Sequence, residues 1–280
     1  MKKLFSILST LSLLGLASAH GQVLIDNLND PYSQNFNSLP TGSDTSFTWA
    51  QGDAGTPTLD DWYYSRGVDT FAGSTNGRAL ESGLGSNRIN TDRILSLASA
   101  PGAANSERSI GLRSTGTVGN EGGYFGIQLR NNTGSQITTL DVSFTGQEWL
   151  QTETAGNLDF YHFDANGTTS YTSFSTGGGT GMDVTNNGTK VNALSFSGTA
   201  ADGFTVIDGN LPANSSFYSN QITGLTWANG DDLWLVWNKV DDNSALAIDD
   251  FTVTAIPEPS SLALLAGALG LGLVMLRRRR

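Results

Sequence analysis

Apolar and polar residues alternate along much of the chain. In TTLDVSFTG, 138–146, Leu140, Val142 and Phe144 fall on one side, and Asp141, Ser143 and Thr145 on the other. A period of two marks a strand with one face buried. GYFGIQLRNNTGS, 123–135, repeats the pattern with Phe125, Ile127 and Leu129, then turns at Asn131-Asn132-Thr133-Gly134. In NLDFYHF, 157–163, Leu158 and Phe160 take one face and Tyr161 and Phe163 the other. DLWLVW, 232–237, is apolar on both faces, as a central strand between two packed layers would be. ALAIDDFTVTA, 245–255, reads as the last strand. Alternation there sets Asp249 with Phe251 and Val253, and Asp250 with Ile248.

Between these segments stand Asn166-Gly167, Gly177-Gly178-Gly179, Asn187-Gly188, Asp208-Gly209-Asn210 and Asn229-Gly230-Asp231. Glycine and asparagine adopt the left-handed backbone that tight turns need. Short strands joined by such turns, with no helical period of useful length and no internal repeat, predict an all-β antiparallel sandwich or jelly roll. Residues 41–105 are less regular and predict long surface loops with two or three strands.

Composition sharpens this picture. The chain has 34 glycines and no cysteine, so disulfides, thiolate chemistry and cysteine zinc sites are excluded. The formal charge is −11, but it is unevenly spread. Lys2 and Lys3 stand at one end and four arginines at the other; nine of the 15 basic residues and 25 of the 26 acids lie between, a balance of −16. A surface so acidic repels nucleic acid, and that partner is set aside.

The two ends carry the clearest signals. Lys2 and Lys3, an apolar run over 4–16 and the small residues Ala17 and Ala19 around Ser18 form a secretory signal, with signal peptidase expected to cut after Ala19. The expected division is therefore a leader at 1–19, an exported domain at 20–255 and a tail at 256–280. The tail reads IPEPSSLALLAGALGLGLVMLRRRR. Residues 260–276 would span about 25 Å as a helix at ~1.5 Å per residue, close to the hydrocarbon core of about 30 Å, within the tolerance for mismatch. Arg277, Arg278, Arg279 and Arg280 favour the cytoplasmic side and leave the domain outside. Pro257 and Pro259 keep the junction extended, as a protease requires.

Candidate chemistry in the domain is sparse. His162 lies within a strand without a nucleophile elbow, which predicts a structural histidine. Glu148 and Glu153 flank Trp149, but no strand face gathers a compact acid pair of the kind a glycan hydrolase uses, so the chain is read as a non-enzyme. Asp249-Asp250 is one of four aspartate doublets, and a carboxylate carried toward an apolar layer needs a partner: a metal such as Ca²⁺, or hydrogen-bond donors. Aromatic residues in loop-like contexts either cap the core or offer flat faces to sugars; Trp62, Tyr63 and Trp149 are the candidates for the second role.

Pro257-Glu258-Pro259, the apolar helix and the arginine cluster, in that order at the C-terminus, resemble the PEP-CTERM sorting signal of Gram-negative bacteria that make exopolysaccharide. The resemblance implies recognition by an exosortase, a membrane-embedded cysteine protease-transpeptidase. It further implies a transient stay in the inner membrane after passage through the secretion machinery, and delivery to the cell surface or extracellular matrix. NNTGSQITTLDVSFTGQEW, IDGN at 207–210, DDLWLVWNKVDD and ALAIDDFTVTA resemble a module of exported PEP-CTERM proteins that looks like a concanavalin-type or carbohydrate-binding jelly roll. YSQNFNSLP, 32–40, resembles the first strand of such domains. In relatives that strand lies beside the last and the pair can hold a structural Ca²⁺, which would put Asn35 or Asn37 near Asp250 and Asp249. The expected role is structural or adhesive, with binding of matrix polysaccharide as the alternative.

Overall fold

The computed structural model describes residues 22–42, 45–49, 59, 61–65, 75–81, 93–99, 107–113, 123–165, 174–175, 182–240 and 243–257. The leader with Ala17 and Ala19, and the tail from Glu258 through Pro259 to Arg280, lie outside them. No helix among the described residues is long and apolar enough to cross a membrane.

The alternating segments form strands that assemble into two antiparallel sheets. Numbered along the chain, the first sheet holds β1 (Val23–Ile25), β4 (Trp62–Ser65), β8 (Gly123–Asn131), β10 (Asn157–Ala165), β13 (Thr189–Lys190), β14 (Phe196–Ser197) and β17 (Asp232–Lys239). The second holds β2 (Pro31–Gln34), β3 (Thr45–Trp49), β5 (Thr75–Glu81), β6 (Arg93–Ala98), β7 (Ser109–Arg113), β9 (Ile137–Gln151), β15 (Thr205–Val206), β16 (Ser215–Trp227) and β18 (Ala245–Ile256). A separate parallel pair joins β11 (Phe174–Ser175) to β12 (Met182–Asp183). Helix among the described residues is limited to α1 (Val184–Asn187), capped by Asp183, and a 3₁₀ turn at Asn192–Leu194. Two pairings depart from the antiparallel rule: β1 on β8 and β5 on β6 are parallel.

The order of the first sheet is β1-β8-β17-β10-β13, with β4 sharing the β8 edge with β1. The order of the second is β15-β9-β18-β7-β6-β5-β3, with β16 continuing along the β9 edge from β15. One core fills the space between them. Phe125, Ile127 and Leu129 from β8, Leu158 and Phe160 from β10, and Leu233, Leu235 and Trp237 from β17 meet Leu140, Val142 and Phe144 from β9 and Phe251, Val253 and Ala255 from β18. In β8, β9, β10 and β17 the faces are those the alternation assigns. Strand β17 is apolar on both faces because its other face is covered as well. Trp234 and Val236 pack with Tyr63, Tyr124, Tyr161, Phe163 and Val184 on the outside of the first sheet.

Trp237 sits where both layers meet. Its ring stacks on Phe125 at 5.5 Å and Trp62 at 5.9 Å. It takes edge contacts with Phe160 at 5.0 Å, Phe251 at 5.5 Å and Phe144 at 5.6 Å. Those partners come from β4, β8, β9, β10 and β18, so one side chain ties five strands of both sheets. Aromatic pairs in these geometries add stability beyond the area they bury. Trp237→Ala is expected to lower the unfolding free energy by about 3–5 kcal/mol, measured by denaturant titration, because a buried ring leaves a cavity that its neighbours cannot fill.

Candidate functional site

Strand β18 has two different neighbours along one edge. Strand β7 covers Ala245 to Ile248, and β2 covers Phe251 to Thr254. Asp249 and Asp250 fall in the gap between them. On the other edge the register against β9 slips between Asp249 and Thr252, a β-bulge. Asp250 accommodates the extra residue with φ of 48°, a left-handed conformation that aspartate tolerates better than most side chains.

The bulge overturns the alternation expected here. Leu246 and Ile248 face the core before it, and Phe251, Val253 and Ala255 after it, so the inward side changes from even to odd numbers. Asp249 does not share a face with Phe251. It lies on the outer side of the second sheet, where it is nonetheless only 3% exposed. Asp250 is exposed.

The expected proximity of the first and last strands is realised, because Gln34 at the end of β2 pairs with Phe251. What the four residues do there differs from a metal cage. The Asn35 side-chain oxygen accepts the Asn37 amide at 3.3 Å, and the Asn37 oxygen accepts the Arg108 amide at 2.8 Å. Asp249 Oδ1 accepts the Asp250 amide at 2.8 Å. Ca²⁺ needs six to eight converging oxygens, and three of the four expected ligands have turned an oxygen onto backbone N–H groups. Among the described residues no three acids or histidines gather closely enough to hold a metal ion. The donor set does not fit Ca²⁺. These residues instead fasten the gap: Asn37 ties the loop after β2 to the residue before β7.

Burial pushes the Asp249 carboxyl up to about 7, aided by the charges of Asp250 and Glu107 and opposed by the Asp250 amide bond. This carboxylate is therefore a cost to the fold at neutral pH.

The candidate stacking rings are buried, which corrects the second expectation. Trp62 is fully enclosed in the core, with its Nε1 donating to Tyr32 Oη at 3.2 Å. Tyr63 lies under the outer layer of the first sheet with its ring edge-on to Trp234 at 4.8 Å. Trp149 is covered by the IDGN turn. Its Nε1 donates to Gln147 Oε1 at 3.0 Å, and Gln147 Nε2 donates to Asn210 Oδ1 at 2.9 Å. Gly209 lies against the ring so closely that a Cβ there would collide with it. Glu148, beside it in sequence, accepts the Thr199 amide at 2.7 Å and Gln151 Nε2 at 3.2 Å, a structural role. All three rings lie in strands, β4 and β9, and pack into buried apolar clusters instead of facing solvent.

His162 is half-buried in β10 between Leu235 and Thr189. Burial holds its pKa below the ordinary value, with Asp164 pulling the other way, and its Nδ1 has no hydrogen-bond partner. It stays neutral at physiological pH.

A polar row that sequence reading did not single out crosses the outer face of the first sheet. Tyr63 Oη donates to Gln128 Oε1 at 3.4 Å, Gln128 Nε2 donates to Asp232 Oδ2 at 2.9 Å, and Arg130 Nη1 pairs with Asp232 Oδ1 at 3.4 Å. The Arg130 side chain is 41% exposed and that of Asp232 25%. Partial burial raises the Asp232 pKa, against the lowering effects of Arg130 and Gln128. The signal was present in GYFGIQLR: once Phe125, Ile127 and Leu129 face inward, Gln128 and Arg130 must face out.

No protein-family model matches the chain, and no curated protein matches it. Its structure is similar to several solved domains at low identity. One is the K2 cleaved adhesin domain of Lys-gingipain, at 12% identity over 80% of this chain and 99% of that one, with a TM-score of 0.40. Another is a family 22 xylan-binding domain from Paenibacillus barcinonensis, at 12% identity over 82% of this chain and 97% of that one, with a TM-score of 0.35. A third is a family 22 carbohydrate binding module from Clostridium thermocellum, at 12% identity over 80% and 91%, with a TM-score of 0.34. Scores of this size leave the fold to be read from the strands themselves.

The Asp249 environment gives a signed expectation. Below about pH 4 the carboxyl is protonated folded and unfolded alike. Between there and about 7 the folded chain keeps a proton that the unfolded chain releases, so stability falls as pH rises and then levels off. Asp249→Asn keeps the acceptor for the Asp250 amide and removes the charge. Its melting temperature is expected to exceed that of the parent at pH 8, by an amount on the order of 2–4 kcal/mol in stability, and to match it near pH 4. Adding a calcium chelator to the parent at pH 8 leaves the midpoint unchanged. A constant offset between the two chains at every pH, or a drop with chelator, contradicts this account.

Proposed function

We propose that the chain is an exported surface or extracellular-matrix protein whose C-terminal segment is a PEP-CTERM sorting signal, and that its β-sandwich has a structural or adhesive role. The leader starts export. The apolar segment with Arg277 to Arg280 holds the chain in the inner membrane, and an exosortase acts at or near Pro257-Glu258-Pro259. The observation that carries this reading is where the last described strand ends. Strand β18 ends at Ile256, the Asn29 amide donates to Ala255 O at 2.8 Å, and Pro257 follows at once. Proline has no N–H with which to extend the ladder. The tripeptide thus begins where the last strand lets go, and a membrane protease can engage it while the sandwich stays folded. In cells carrying an exosortase, mass spectrometry of the mature protein is expected to find a C-terminus at or near the tripeptide. An intact Arg280 terminus in those cells rejects the sorting assignment.

A second reading, a carbohydrate-binding module for matrix exopolysaccharide, draws on the row Gln128, Asp232 and Arg130. An amide, a carboxylate and a guanidinium side by side offer the donors and acceptors that neighbouring sugar hydroxyls need. The polysaccharide of the producing cell is expected to bind the parent chain, with Arg130→Ala weakening binding at an unchanged melting temperature. Absence of binding to that polysaccharide and to a broad glycan array removes this reading.

A further inference from the structure

Strand β16 is long, regular and uncharged, and it stands at the edge of the second sheet. Its ladder partner among the described residues is β9 alone, through nine consecutive pairs from Ser215 opposite Gln147 to Thr223 opposite Thr139. The break in register comes only after Thr223, at Gly224 with φ of 76°. In an antiparallel edge strand every second residue turns its N–H and C=O away from its partner. Proteins commonly guard such edges with lysine, proline, bulges or brevity. The stretch 215–223 has none of these guards.

The side chains reinforce the point. Tyr218 and Ile222 turn toward the core, where Tyr218 stacks on Phe144 at 5.6 Å and on Phe196 at 5.1 Å. Phe217, Ser219, Gln221 and Thr223 face out. Phe217 is 70% exposed, and Leu211, in the turn leading into the strand, is 51% exposed. Single exposed apolar residues are ordinary, but here one lies on the edge strand itself and a second in the turn that leads into it.

Charge selects the occupant. Residues 209–230 contain no Asp, Glu, Lys, Arg or His, within a domain whose balance is −16. A second copy of the chain approaching elsewhere brings acid against acid. Approaching along residues 215–223, it meets uncharged side chains first, with the exposed Asp141 one strand back on β9 opposite Gln221, and an antiparallel strand opposed to its own copy is self-complementary about a two-fold axis.

We propose that β16 is a self-association edge, at which two copies of this chain pair residues 215–223 antiparallel and join their second sheets into one. With Ser219 at the axis, each Phe217 lies opposite the partner copy at position 221.

The absence of cysteine makes the test direct. Ser219→Cys in the full chain places two thiols at directly opposed positions, about 4.5–5.5 Å between Cβ atoms. Mild oxidation is expected to give a disulfide-linked dimer in high yield, while Asn27→Cys, exposed in the turn between β1 and β2 and not on β16, gives little. Because the pairing could centre one step away, Phe217→Cys and Gln221→Cys are run alongside; efficient linkage at any one of the three supports the edge. In sedimentation, Phe217→Lys with Gln221→Lys is expected to weaken dimerisation at least about tenfold at an unchanged melting temperature, since like charges then oppose across the pair. Lysines reduce the net repulsion between acidic copies, so loss of the dimer reports on this edge and not on overall charge. A monomer at all concentrations, equal linkage at Asn27→Cys, linkage to a different protein only, or a dimer indifferent to the two lysines overturns the proposal.

Discussion

Everything in this sandwich depends on strand β17 being apolar on both faces. A sheet strand normally has one wet side, and burying the second requires another layer of side chains over it. Here the inner side delivers Trp237 to the centre of the core, and the outer side delivers Trp234 and Val236 to a smaller cluster with Tyr63, Tyr124 and Tyr161. The irregular segment that reads as loop supplies the cover. WYY at 62–64 becomes β4 beside β8, which sends Trp62 and Tyr64 inward and Tyr63 outward. A chain with few charges and no disulfides thereby draws its cohesion from aromatic burial in two tiers.

The second constraint is the seam in β18. One strand is shared end to end by β7 and β2, and the two cannot be in register across the join without an extra residue. The bulge at Asp249-Asp250 supplies it, and Asn35, Asn37 and Arg108 close the gap with side-chain-to-backbone hydrogen bonds. Buried polar groups that satisfy backbone amides are the common use of aspartate and asparagine in such places. A residue set that looks like calcium ligands in sequence can therefore be a fastener, because both roles select the same oxygen-bearing side chains.

These features bear on function by subtraction. The aromatic rings that promised a sugar platform are structural, the acids beside Trp149 are occupied or exposed apart, and the aspartate doublet holds the sheet. The described residues also carry a polar row on the outside of the first sheet and an uncharged edge strand on the second.

The sequence by itself determined the strands and their inward faces. The alternations around Leu140, Phe125 and Leu158 and the doubly apolar run through Trp237 survive intact, because burial of one face is a local, periodic demand. The export and sorting signals proposed for the two ends are likewise read from contiguous, ordered residues. Tertiary structure alone decided which aromatics are covered, since Trp149 is hidden by Gly209, a residue 60 positions away. It likewise decided that alternation fails at Asp249: a bulge arises from the meeting of β2, β7 and β9 on one strand, and no window of β18 contains that information. The same holds for the edge position of β16 among the described strands, because a strand's position in its sheet depends on which partners reach it.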